Sequence, residues 1–110
     1  MQKLSLDALA REHLERAGAA STGRSAETVH GGHERLLRQT LLALTAGSVL
    51  AEHANPGEAT LLVLRGRLRL DSGGDSWEGR AGDLLIVPQA RHSLEALEDA
   101  AALLTVVARP

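Results

Sequence analysis

The apolar positions of the chain change period once, near residue 20. From Ser5 to Ala17, the residues Leu6, Leu9, Ala10, Leu14 and Ala17 recur at helical spacing, with Asp7, Arg11, Glu12, Glu15 and Arg16 between them. Ser5 offers an N-cap hydroxyl, Asp7 puts negative charge in the first turn, and Gly18 marks a stop. The spacing predicts an amphipathic helix whose apolar stripe covers the rest of the fold or a partner subunit.

Beyond the polar stretch AASTGRS the period shortens. The segments AETVH, ERLLRQTLLALTA, SVLAEH, ATLLVLR, RLRLD, DSWEG, DLLIVP, RHSLEAL and AALLTVVA are separated by HGGH, HANPGE, Gly66, SGG, GRAGD and PQA. Short extended runs spaced about 8–12 residues apart with glycine-rich turns predict an all-β sandwich or barrel. Around Gly66 the alternation is clean: Arg65, Arg67 and Arg69 take one parity and Leu68 and Leu70 the other, giving a wet face and a dry one. No second helix and no basic cluster follow the first at helix-turn-helix distance, which excludes that motif. The expected organisation is a single domain, with a helix and linker over 1–24 and the β domain over 25–110.

Composition narrows the chemistry. The 110 residues allow one core. There is one Trp and neither Phe nor Tyr, which argues against a base-stacking surface, and a net charge of -2 gives no general pull toward phosphate backbones or anionic membranes. The absence of cysteine removes disulfides, thiolate nucleophiles and zinc-finger sites. The apolar run at 100–108 falls short of the roughly 20 residues that span a bilayer, and the charged N-terminus lacks a signal-peptide hydrophobic region. A cytoplasmic protein without nucleic-acid or membrane partners is the expectation.

Chemistry must then come from histidines and carboxylates. His13 reads as a solvated helix residue. His30 and His33 flank Gly31–Gly32, a tight hairpin-like turn where a metal would bind only adventitiously. His53 shares strand parity with Val49 and Ala51, and His92 with Leu94 and Ala96. If those neighbours line an interior, both imidazoles point inward beside turns. Periodicity alone leaves open whether they form one site or are two core histidines satisfied by hydrogen bonds. Ser93 adjoins His92 but takes the opposite face, so the two form no dyad. No two carboxylates share an interior face, which argues against glycosidase chemistry. Arg65, Arg67 and Arg69 form a basic rim, and Glu95, Glu98 and Asp99 an acidic one. Asp83 reads as a turn residue bonding nearby amides.

The stretch from Gly47 to Gly66, with His53 after a five-residue gap and Pro56–Gly57 behind it, resembles the first cupin motif. The stretch from Gly82 to His92, with Asp83 and Pro88 in register, resembles the second. The resemblance covers about residues 30–108 and implies a small single-domain cupin. Its fold is a double-stranded β-helix barrel with one short N-terminal helix outside, and small cupins often dimerise through sheet edges or swapped N-terminal strands. Cupins of the usual kind hold iron, manganese, nickel or zinc through two His and one Glu of the first motif and the His of the second. Here His53 and His92 stand in place, Asn55 occupies the second His position, and Ala59 occupies the Glu position. Glu58 is one residue off and turns to the other face unless a bulge intervenes. Gln39, in the preceding strand, is the remaining polar supplement. The second motif also lacks the expected turn glycine, Ala90 standing there, and its final Asn.

Two imidazoles and an amide make a poor metal shell. The reading that follows is a small-molecule-binding cupin with an apolar barrel pocket, taking a small apolar or weakly polar ligand at His53, His92, Asn55 and Gln39. A metal-dependent oxygenase or isomerase, with metal at His53, His92 and Asn55 and with Glu58 as the nearest carboxylate, is the alternative. A structural or regulatory interaction module is a third. No catalytic residue is assigned.

Overall fold

A computed structural model describes residues 2–53 and 57–108, with the backbone alone at 53 and 108. Helix α1 (Leu6–Ala19) is followed by nine strands: β1 (Arg24–His30), β2 (Leu37–Leu44), β3 (Val49–His53), β4 (Gly57–Arg65), β5 (Arg67–Ser72), β6 (Asp75–Arg80), β7 (Leu84–Val87), β8 (His92–Ala96) and β9 (Ala100–Ala108). They form two antiparallel sheets, one ordered β1-β2-β9-β4-β7 and the other β3-β8-β5-β6. The all-β architecture with one helix is the one the sequence predicts. None of the described helical residues forms a helix long and apolar enough to cross a membrane.

The core lies between the sheets. Leu44, Ala59, Leu61, Val63, Leu68, Leu70, Val87, Leu94, Ala96, Ala100 and Ala102 form one buried cluster, with Leu42, Leu50, Leu104 and Val106 packed against it. Each fully buried leucine contributes about 1.5–3 kcal/mol, so leucine number replaces aromatic bulk. The parity read around Gly66 holds: Leu68 and Leu70 are buried, while Arg67 and Arg69 stand on the other face. There the basic and acidic rims interlock, with Arg69 donating to Glu95 at 2.8 Å and Arg67 lying 3.6 Å from Glu98. Asp83 caps its turn by accepting the Arg80 amide at 2.8 Å.

Strands β2 and β9 are buried on both faces. Their outer side, with Leu41, Ala43, Ala101 and Leu103, receives the buried stripe of α1. The small residues Ala10, Ala17, Ala43 and Ala101 let helix and sheet approach closely. Ser5 caps the helix as expected, accepting from the Ala8 amide at 3.2 Å.

Three local expectations are corrected. The helix continues through Gly18 and ends at Ala20 in extended backbone, because its stripe is already docked and an exposed glycine costs only about 1 kcal/mol there. The connection after His30 is a loop over 31–36, longer than a tight hairpin turn. His13 is not solvated but 1% exposed. Its Nδ1 lies 2.6 Å from Ser25 Oγ and its Nε2 2.8 Å from Glu27 Oε1, so two β1 side chains satisfy a ring held between helix and sheet.

Candidate functional site

The candidate site sits where β3 ends and β8 begins. His92 opens β8 and is 7% exposed, on the same buried face as Leu94 and Ala96. Its Nδ1 donates to the Ala90 carbonyl at 2.9 Å. A carbonyl only accepts, so this bond places a proton on Nδ1.

The register of β3 against β8 pairs Leu50 with Leu94 and His53 with His92. Two residues lie between Leu50 and His53 but only one between His92 and Leu94, so β3 carries one extra residue in a bulge. The parity argument for β3 therefore fails upstream of it. Leu50 packs on the core, and Val49 and Ala51 are exposed rather than interior. The inserted residue nonetheless brings the backbone of His53 opposite that of His92.

The other sequence candidates do not gather here. Gln39 pairs with Thr105 and donates to its hydroxyl at 3.2 Å. It shares parity with Leu41 and Ala43, which puts it on the outer face of the sheet, away from His92. Glu58 is exposed, while its neighbour Ala59 is 7% exposed and belongs to the core. No bulge rescues Glu58, which borders an outer-face groove with Thr60, Thr105 and Val107. Asn55 lies outside the described residues.

The interior is fuller than a binding barrel requires. The cavity touching His92 measures about 20 Å³, lined otherwise by Val87 and leucines such as Leu61, Leu70 and Leu94. That is room for about one water molecule. The expected apolar pocket is closed by leucine packing among the described residues.

This donor set does not fit a cupin-type metal ion. No three His, Cys, Asp or Glu side chains cluster among the described residues. The position that should supply an anionic ligand is Ala59, and neither Gln39 nor Glu58 can replace it from the opposite face.

Comparison with known proteins agrees with the architecture. The family model of the cupin domain matches residues 40–108. A conserved protein of unknown function from Streptococcus pyogenes superposes with a TM-score of 0.74 at 23% identity, over 83% of this chain and 79% of that one. A cupin superfamily protein from Desulfitobacterium hafniense gives 0.72 at 16% identity, over 78% of each chain. A salicylate 1,2-dioxygenase from Pseudaminobacter salicylatoxidans gives 0.75 at 18% identity, over 91% of this chain but 33% of the dioxygenase. At these identities the likeness is one of fold. No curated protein sequence matches the chain.

Proposed function

The chain belongs to the cupin family, and we propose that this cupin binds a small molecule at the open end of its barrel, with the imidazoles of His53 and His92 as polar contacts. The observation that carries the proposal is the register placing His53 across from His92. Directly opposed residues of an antiparallel pair stand with Cβ atoms about 4.5–5.5 Å apart on one face, so two rings there can converge on one polar atom. With only about 20 Å³ free beneath His92, the ligand rests over the mouth instead of inside. A small acid or alcohol with a short apolar segment suits this arrangement, its polar group meeting the imidazoles at the mouth. Asn55, two residues beyond His53, joins the same site in this proposal.

The metal-dependent enzyme reading lacks its anionic ligand at Ala59 and gains none among the described residues. Metal analysis of tag-free protein, beside thermal unfolding with short-chain acids and alcohols, separates the two. The binder is stabilised by a ligand in both buffer and chelator, by about 2.7 kcal/mol at a hundredfold excess over Kd. That stabilisation disappears in His53→Ala and His92→Ala. Near one equivalent of iron, manganese, nickel or zinc in the wild type, lost in His92→Ala, would overturn the proposal in favour of the enzyme.

We also infer that a second copy of the chain covers the outer face of the larger sheet beyond α1. Leu37, Leu84, Ile86 and Val107 are 42, 56, 71 and 41% exposed. Large apolar side chains exposed on one face in this way mark an interaction surface. Thr60 and Thr105 bridge the two halves of this patch, with Glu58 at its border, and such a face can meet its own copy about a two-fold axis. The double variant Leu84→Lys, Ile86→Lys is expected to shift light-scattering mass from dimer to monomer while leaving unfolding cooperative. A wild type that is monomeric at high concentration removes this inference.

A further inference from the structure

We infer that the core-side flank of β1 and β2 carries a second site, centred on Arg38, for a small oxyanion such as a carboxylate or phosphate group. Its lining residues differ from those of the cavity at the proposed mouth site, and neither His53 nor His92 is among them.

The larger sheet is one strand wider than the sheet it faces. At its edge, β1 meets the smaller sheet only sparsely, Arg24 reaching the Val49 carbonyl of β3 at 3.1 Å, and Arg24, Ala26 and Thr28 are exposed on the side that elsewhere forms the core. On β2, Arg38 pairs with Val106 and Thr40 with Leu104, both of which pack on the core. Arg38 and Thr40 thus project from the core side of the sheet, into a cavity of about 230 Å³ lined also by Thr28, Gly32 and His33.

The loop over 31–36 fixes the guanidinium. Gly31 has φ +101, and a Cβ there would stand 2.6 Å from the Leu37 carbonyl and 2.9 Å from Arg38 Cα, so the loop folds tightly back on β2. Arg38 Nε donates to the Arg35 carbonyl at 3.0 Å and Nη2 to the His33 carbonyl at 3.4 Å. Two of the five guanidinium N–H groups are spent this way, leaving three. The ion pairs among the described residues engage other arginines, including Arg35, Arg69 and Arg91, and none engages Arg38. Thr28 and Thr40 are direct cross-strand partners, and neither hydroxyl has a hydrogen-bond partner among the described residues. A held guanidinium with spare donors beside two hydroxyls is the chemistry that recognises an oxyanion. The Glu34 carboxylate stands beside Gly32 at the rim of this cavity; its side chain is 75% exposed and lies 4.0 Å from Arg35, so water and that arginine screen its repulsion of an anion.

The test is a titration of the full chain, followed by backbone amide NMR, with sodium acetate and separately with inorganic phosphate at ionic strength held constant by chloride. Saturable shifts confined to the amides of Thr28, His33 and Thr40 are expected with at least one of the two. The stronger binder identifies the head group as carboxylate or phosphate. Arg38→Met should weaken binding by about tenfold or more, and Arg38→Lys by less. Because Arg38 also holds the loop, Thr40→Val serves as a second variant that keeps the guanidinium. It should weaken binding several-fold with the His33 amide unmoved before titration. His92→Ala should leave the titration unchanged, so loss of ligand binding at the mouth and loss of this site are told apart. Shifts that do not saturate with either anion, or identical affinities in wild type, Arg38→Met and Thr40→Val, overturn the inference.

Discussion

His13 Nε2 lies 2.8 Å from Glu27 Oε1 across the seam between α1 and β1, and this contact fixes a proton on Nε2. A carboxylate only accepts, so Nε2 donates to Glu27, while Nδ1 bonds the Ser25 hydroxyl at 2.6 Å. His13→Leu keeps the bulk but strands two β1 polar groups. With Glu27 46% exposed and able to re-solvate, the expected loss is about 1–3 kcal/mol. Glu27→Gln, which keeps an acceptor, should cost less than His13→Leu. Urea unfolding checks both: the midpoint falls with the slope unchanged. Equal midpoints for His13→Leu and wild type would mean that apolar packing alone holds the helix.

The far end of the same helix is tied by Asp7 and Arg65. The hydrogen bond from Arg65, and then its charge, hold the Asp7 carboxyl below its ordinary value of 3.8, and Arg11 adds a smaller pull. A depressed carboxylate contributes stability that is fully present above 3.8 and is lost as pH falls through the lower folded value. Asp7→Asn should therefore unfold more easily than wild type at neutral pH and converge with it in acid well below 3.8. Both partners are solvent-exposed, so the gap should be small and should shrink in high salt. A gap that persists in acid would assign the effect to something other than this charge.

The sequence was most legible where the strands are regular. Parity placed Leu68, Leu70, Leu94, Ala96 and His92 inside and Glu58 outside, because one unbroken alternation decides each face. It failed on β3, where the bulge between Leu50 and His53 reverses the assignments at Val49 and Ala51 and sets the backbone of His53 opposite His92. Nothing in SVLAEH announces an inserted residue. His13 was legible and overlooked: it falls three residues after Ala10 and four before Ala17, on the buried stripe, but its polar side chain suggested solvent. Gln39 was misplaced because its facing depends on which side of β2 meets the helix, a tertiary fact. The cavity beneath His92 was beyond reach, since two inward histidines say nothing of how far leucines fill the space between them.

Gly66 turns the chain from β4 into β5 with φ +70, and a Cβ there would stand 2.0 Å from the Asp99 carbonyl oxygen. The obstacle is backbone, so it cannot swing away as a side chain would. Gly66→Ala combines an unfavourable φ with this clash and should cost about 3 kcal/mol or more. That is a large share of the stability of a domain this size. Thermal unfolding of the soluble fraction checks it, and a change in Tm of only a degree or two would show that the turn has another way to close.

Ala59 is where this chain departs most consequentially from the metal-binding pattern of its family, and the position invites a direct reconstruction. Its side chain faces the interior, and it pairs with Val87, which lines the small cavity with His92. Ala59→Glu would bury a carboxylate among leucines, costing several kcal/mol while unpaired. A zinc, nickel or manganese ion held with His53 and His92 would offset that cost. The variant should therefore unfold at a lower temperature than wild type in chelator and recover in stoichiometric metal, by a shift that wild type does not show. Ala59→Glu combined with His92→Ala should lose the recovery, and Ala59→Gln should carry the cost with far less of the gain, since an amide is a weaker ligand than a carboxylate. If Ala59→Glu is destabilised and no metal restores it, the two histidines do not converge on a common point. The proposed ligand contact at the barrel mouth would then fall with the metal site.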